Sequence, residues 1–205
     1  MHNAPLQLSI GQLSAVEAAY ASPPRAYHDF MHVREVLHHY ADVAVGPGWT
    51  HPVEVYLAVL YHDAIYQPGR KDNEALSARF AMEQAAQWLP EHGIDLLRVA
   101  ELINLTARHG QFSPADFGED GFALDARHFL DCDMAILGAE PRAFDAYDRG
   151  IAEEYRGHIP GFLFRLNRKR FLKGLLARER IYLSDWFHQR YDAQARANLR
   201  RAIDG

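Results

Sequence analysis

The chain reads as an all-α protein, a compact single-domain helical array, on three observations. Apolar residues recur at helical spacing in almost every segment rather than alternating. Turn signals such as Gly46-Pro47-Gly48 and Gln67-Pro68-Gly69 punctuate the chain at helix-sized intervals. The 205 residues are enough for one sizeable core, and no Ser/Gly-rich linker or long polar run divides them.

The first expected helix covers about Ser14 to Ala21 and is stopped by Pro23-Pro24. A second carries His28, His32, Val36 and Tyr40 and ends before Gly46-Pro47-Gly48. Thr50 is the expected cap of a third, with Pro52 tolerated in its first turn and Leu57, Leu60 and Tyr61 facing inward. This helix delivers His62-Asp63 at its end. Gln67 to Asp72 reads as a loop, and Asp72 or Asn73 begins a fourth helix through Ala75, Ala78, Phe80 and Trp88. Pro90 to Gly93 separates it from a helix over Ile94 to His109. Gly110 to Gly121 is irregular apart from one short turn at Ser113-Pro114-Ala115-Asp116. Helices at about 125–137, 142–157, 162–182 and 185–202 follow, the last capped by Ser184.

Hydrophobic residues make up 48% of the chain but never form a membrane-spanning stretch, and Met1 to Gly11 lacks a basic segment followed by an apolar signal core. A cytoplasmic protein is the expectation. The single cysteine, Cys132, fits a reducing interior and reads as a buried spectator. A formal net charge of -5 argues against broad attraction to nucleic acid. Charge is uneven, however: Arg165, Arg168, Lys169, Arg170, Lys173, Arg178 and Arg180 lie in a stretch whose one acid is Glu179. That stretch is either the solvated face of a helix or the source of an arginine turned inward to hold a phosphate.

The residues with the most chemistry are dispersed. His28 and His32 are four apart and share a face if their segment is helical. His62-Asp63 sits where a helix gives way to a loop, and Asp131 and Asp133 follow in a second apolar segment. Together they offer the mixed nitrogen and oxygen donors that a divalent cation takes. A buried carboxylate is costly unless a metal or a histidine relieves it. On spacing alone a plainer reading stands beside this one, in which Asp63 caps local backbone and His62 makes one core hydrogen bond.

The order His32, then His62-Asp63, then an aspartate at 131 or 133 resembles the HD-domain superfamily of metal-dependent phosphohydrolases. The string Tyr27-His28-Asp29-Phe30-Met31-His32-Val33 resembles the Tyr-His-Asn…His segment of the cyclic-nucleotide phosphodiesterases in that wider superfamily. Closer still is the likeness to a small family of bacterial proteins described as predicted metal-dependent HD-superfamily phosphohydrolases. It is carried by Arg25-Ala26-Tyr27-His28, Leu60-Tyr61-His62-Asp63-Ala64, Asn73-Glu74-Ala75-Leu76, Thr106-Ala107-Arg108-His109, Asp131-Cys132-Asp133-Met134 and Glu154-Tyr155.

The resemblance implies an HD-domain/phosphodiesterase-like fold and a divalent metal, one of Mn, Fe, Mg, Zn or Ni, held by His32, His62, Asp63 and Asp133. It makes Asp131 an acceptor that orients a ligand histidine or a water on the metal, and His28 the general acid that protonates the leaving oxygen. Two departures stand out: Asp29 replaces the asparagine, an adjacent acid that favours protonated His28 if it approaches the ring, and Tyr66 stands where the cyclic-nucleotide enzymes carry a further histidine, which counts against a two-metal centre and cyclic-nucleotide specificity. By position, Glu74 and His109 are candidates to contact water, phosphate or a second ion. Arg70 and Lys71, in the adjoining loop, are candidates to neutralise phosphate oxygens. Tyr27, Phe30, Tyr66 and Trp88 are candidates to stack on a base. The implied activity is hydrolysis of a phosphate ester on a small substrate, a nucleotide among the options, by attack of metal-bound water. The competing reading is a non-catalytic metal-containing protein that binds a nucleotide or another phosphorylated ligand. Oligomeric state is open.

Overall fold

The run Val55 to Tyr61 is apolar on every side, and a helix of that kind is stable only when it is surrounded. The computed structural model, which describes residues 4–21, 25–90 and 92–205, surrounds it. The helix α3 (Pro52–Tyr61) packs against α2 (Phe30–Val45), α4 (Asn73–Trp88), α5 (Leu96–Thr106) and α6 (Gly121–Met134), and every residue from Val55 to Tyr61 is buried. The remaining helices are α1 (Ile10–Tyr20), α7 (Pro141–Glu154), α8 (Gly161–Leu176) and α9 (Asp185–Asp204), with short 3₁₀ turns at Pro114–Asp116 and Ala135–Gly138. Among the described residues there is no strand. One hydrophobic core draws buried side chains from each of the nine helices among the described residues, so the all-helical, single-domain expectation holds. No described helix is long and apolar enough to cross a membrane.

Several helix ends differ from the sequence reading, each for a local reason. α1 begins at Ile10 because Ser9 accepts from the Gln12 amide at 3.1 Å and caps the helix earlier. Pro23-Pro24, expected to stop it, lies outside the described residues. α2 begins at Phe30, so His28 precedes the helix instead of sharing a face with His32. Asp29 is its cap: Oδ1 accepts from the amides of Met31 at 2.8 Å and His32 at 3.4 Å. Thr50 does not cap α3. Asp125 of α6 does that work from a distance, accepting from the Thr50 and His51 amides at 2.8 Å each and pairing with His51 Nδ1 at 2.8 Å.

α5 ends at Thr106, short of His109, and Gly110 at φ +72° turns the chain there, in a left-handed conformation that favours glycine. α8 ends at Leu176 rather than near 182. Beyond it Arg178 is drawn aside to donate to the carbonyls of Gly110, Gln111 and Phe112, which closes the irregular loop onto the body. Ser184 caps α9 as expected, accepting from the Phe187 amide at 3.3 Å.

Candidate metal centre

α3 is the innermost helix, so whatever follows its last turn is delivered into the protein. His62 is the C-cap residue, and its ring Nδ1 lies 2.9 Å from the Val59 carbonyl. A carbonyl only accepts, so Nδ1 carries the proton and donates, which aims Nε2 the other way. There it meets His32, which α2 turns inward with Val33, Val36 and Tyr40. The two Nε2 atoms are 3.0 Å apart. Asp63 Oδ2 lies 3.2 Å from His62 Nε2 and 3.6 Å from His32 Nε2. Asp133 Oδ1, from α6, lies 3.1 Å from His32 Nε2 and 3.6 Å from His62 Nε2. The His32, His62 and Asp63 donors all fall within 4.8 Å of one another.

Two imidazole nitrogens this close, each also facing carboxylate oxygens, form a donor set that fits a divalent cation, and the His-His-Asp cluster is capable of coordinating one. Side-chain exposure is 1% for His62, 3% for His32 and 15% for Asp63, which leaves Asp63 as the open edge. The electrostatics express mutual dependence. Burial works against charge on His62, yet Asp63 and Asp133 outweigh it and hold the ring well above its ordinary value. Burial also works against charge on Asp63 and Asp133, and the surrounding histidines hold both carboxyls low.

A second layer fixes the first. His109 Nδ1 lies 2.6 Å from Asp133 Oδ2, so His109 sits behind Asp133 and orients it; burial opposes its charge, but Asp133 raises it. Arg25 donates to the carbonyls of Asp63 at 2.7 Å, His28 at 2.8 Å, Ala64 at 2.9 Å and Ala19 at 3.1 Å. It thereby ties the segment before α2 to the end of α3. Tyr20 Oη accepts from the Asp63 amide at 3.2 Å.

His28 reaches the same place by a route independent of α2. Glu154, at the end of α7, takes the Ala26, Tyr27 and His28 amides on Oε1 at 3.1, 2.9 and 2.9 Å, and its Oε2 lies 2.6 Å from His28 Nδ1. One turn earlier, a Cβ on Gly150 would come within 2.9 Å of the Ala26 carbonyl, so glycine there lets the segment sit directly on α7. Tyr66 packs on the His28 ring, tilted by 30°, with centroids 4.1 Å apart. Burial disfavours charge on Glu154, but His28 and the backbone donors outweigh it and hold its pKa below the ordinary value.

Comparison of the chain with protein-family models, with curated proteins and with solved structures finds no match. The centre is therefore read from its own geometry.

A cavity of about 400 Å³ opens beside it, lined by His28, Asp63, Tyr66, Glu74, His109 and Asp133 among others. Glu74, in the first turn of α4, thus faces the same space as the centre. Three of the sequence expectations need correction. Asp131 is fully buried but turned away from the centre: it accepts from the Leu183 and Ser184 amides at 2.7 Å each and from Ser184 Oγ at 2.6 Å. Two residues along a helix is about 200° of rotation, so Asp131 and Asp133 cannot serve one ion. Arg70 and Lys71 are exposed and line no part of the cavity, and Arg70 is occupied by Asp72 at 2.5 and 3.0 Å. Of the four aromatics named for base stacking, Tyr66 alone lines the cavity. Tyr27 packs between Tyr147 and His32, Phe30 packs on Tyr20, and Trp88 Nε1 donates to Gln84. Cys132 is buried, as expected.

Glu154 and Arg25 were not singled out from sequence as site residues. The signal for both was their place in the strings Glu154-Tyr155 and Arg25-Ala26-Tyr27-His28. Their roles rest on contacts across the fold.

Proposed function

We propose that the protein is a metal-dependent phosphohydrolase of the HD type, acting on a phosphate ester of a small molecule, nucleotides included. The observation that carries this reading is the convergence of His32, His62 and Asp63, with Asp133 Oδ1 within 3.6 Å of both ring nitrogens and His28, paired to Glu154, on the wall of the adjoining cavity. A divalent ion held by those four residues supplies Lewis acidity toward a phosphoryl oxygen and lowers the pKa of a water it binds.

The chain's own groups do the rest. His109 keeps Asp133 in its ligating orientation. Glu74 is an acceptor for a water approaching phosphorus. His28, with Nδ1 held by Glu154, has Nε2 to donate a proton to the departing oxygen.

The test couples metal quantification to a panel of phosphate monoesters, diesters and nucleotides, with Mn, Fe, Mg, Zn and Ni added back in turn. His62→Ala and Asp63→Ala are expected to lose bound metal and turnover together. Wild-type metal content and turnover in either variant would sink the reading.

A further inference from the structure

A phosphate entering this cavity meets the carboxylates of Asp63, Asp133 and Glu74, so it needs cationic compensation beyond a single ion. Among the lining residues there is one arginine and no lysine: Arg168 of α8. It is flanked on the same helix face by Phe164 and Phe171, four residues before and three after, and those two also line the cavity. Its neighbours Lys169 and Arg170 point to solvent.

Arg168 is held rather than loose. Nε donates to Asp148 Oδ1 at 2.9 Å, and the guanidinium lies over the Tyr147 ring at 4.9 Å and the Phe171 ring at 5.6 Å. Its Nη2 is buried and makes no hydrogen bond of good geometry among the described residues, although the Tyr147 side chain stands near enough to favour the guanidinium's charge. An unpaired buried donor on a charged group is costly, and a phosphate oxygen brought within its reach relieves it through a charge-assisted bond.

Resting on the phosphohydrolase reading, we infer that Arg168 is the anion-binding residue of the cavity and takes a phosphate oxygen of the substrate. This is the role that Arg70 and Lys71 do not fill. The proposed contact requires the guanidinium to turn a donor toward the cavity while Asp148 and the two rings keep it in place.

The experiment is calorimetric titration of the metal-loaded protein with inorganic phosphate. Arg168→Gln is expected to weaken phosphate binding tenfold or more with metal content unchanged, and Arg168→Lys to recover only part of the loss because a point charge lacks the fork. Phosphate affinity in Arg168→Gln within twofold of wild type would overturn the assignment and leave the metal-centre reading intact. Failure of the wild-type protein to bind phosphate with any divalent ion would overturn the assignment together with the phosphohydrolase reading on which it rests. Should Arg168→Gln not fold, wild-type protein labelled with 15N-arginine decides the matter: a guanidinium resonance is expected to shift saturably with phosphate, and no shift in any arginine refutes the proposal.

Discussion

At the residue scale, aspartate shows how far chemistry depends on address. Asp29, standing where asparagine was expected, has its carboxylate on the first turn of α2. The acid that reaches His28 is instead Glu154, from a helix more than a hundred residues away. Glu154 is a positioning residue, since it acts through His28. Glu154→Gln is expected to reduce kcat about tenfold or more on the best substrate of the panel, with KM and metal content little changed. The discriminating measurement is a double-mutant cycle: Glu154→Gln should have almost no further effect in a His28→Ala background, whereas additive losses would place Glu154 outside this pair. His128 is a residue of a different kind. Burial beside Trp49 lowers its pKa from the ordinary 6.5 to about 4, against the pull of Asp125. The unfolded chain therefore binds a proton that the native state refuses. Stability from this residue is complete above pH 6.5 and falls as pH drops toward 4. Between pH 7.5 and 4.5 the loss is about 2–3 kcal/mol, and urea denaturation of His128→Gln should show a pH dependence flatter by roughly that amount.

At the element scale, α6 carries three buried aspartates that do three separate things. Asp125 secures the start of α3, Asp131 the start of α9, and Asp133 faces the metal centre. Helical rotation separates the last two, and this much could be read from their spacing in sequence. Which of them met the histidines could not be, because that depends on which face of α6 packs toward α2. Asp131→Ala leaves the Leu183 and Ser184 amides without acceptors in a buried site. The expected cost is about 2–5 kcal/mol by chemical denaturation, with metal content per folded protein retained. Loss of metal without loss of stability would return Asp131 to the centre. α3 was the most legible element: its all-round apolar run demanded burial, and burial at its end is what leaves the His62 ring deep and the Asp63 carboxylate at the open edge of the candidate centre.

At the scale of the whole molecule, the centre is where separate parts of the chain are pinned together. His32 comes from α2, His62 and Asp63 from the end of α3, His109 from the turn after α5 and Asp133 from α6. An ion that binds only when these elements are assembled stabilises the assembly. At a metal concentration about a hundred times Kd the gain is about 2.7 kcal/mol, which for a domain of this size raises Tm by roughly 5–10 °C. Calorimetry with metal and then with chelator should show that rise and its reversal, and His62→Ala should show neither. A wild-type Tm indifferent to every divalent ion would mean that the cluster holds none.

The helical architecture was legible from residue order alone, because helical periodicity and turn residues act over a few positions and need no distant partner. Residue order also determined that His62-Asp63 would end a buried helix, and its resemblance to the HD pattern named His32 and Asp133 as companions. Which side chains meet emerged only once the helices were packed. Packing placed Glu154 on His28, turned Asp131 toward α9, set Arg70 and Lys71 in solvent and brought Arg168 to the cavity wall. The physical reason is common to all four. A polar side chain's role is set by what packing places against it or leaves open around it, and apart from the local Arg70–Asp72 pair those neighbours lie at sequence distances no local pattern encodes.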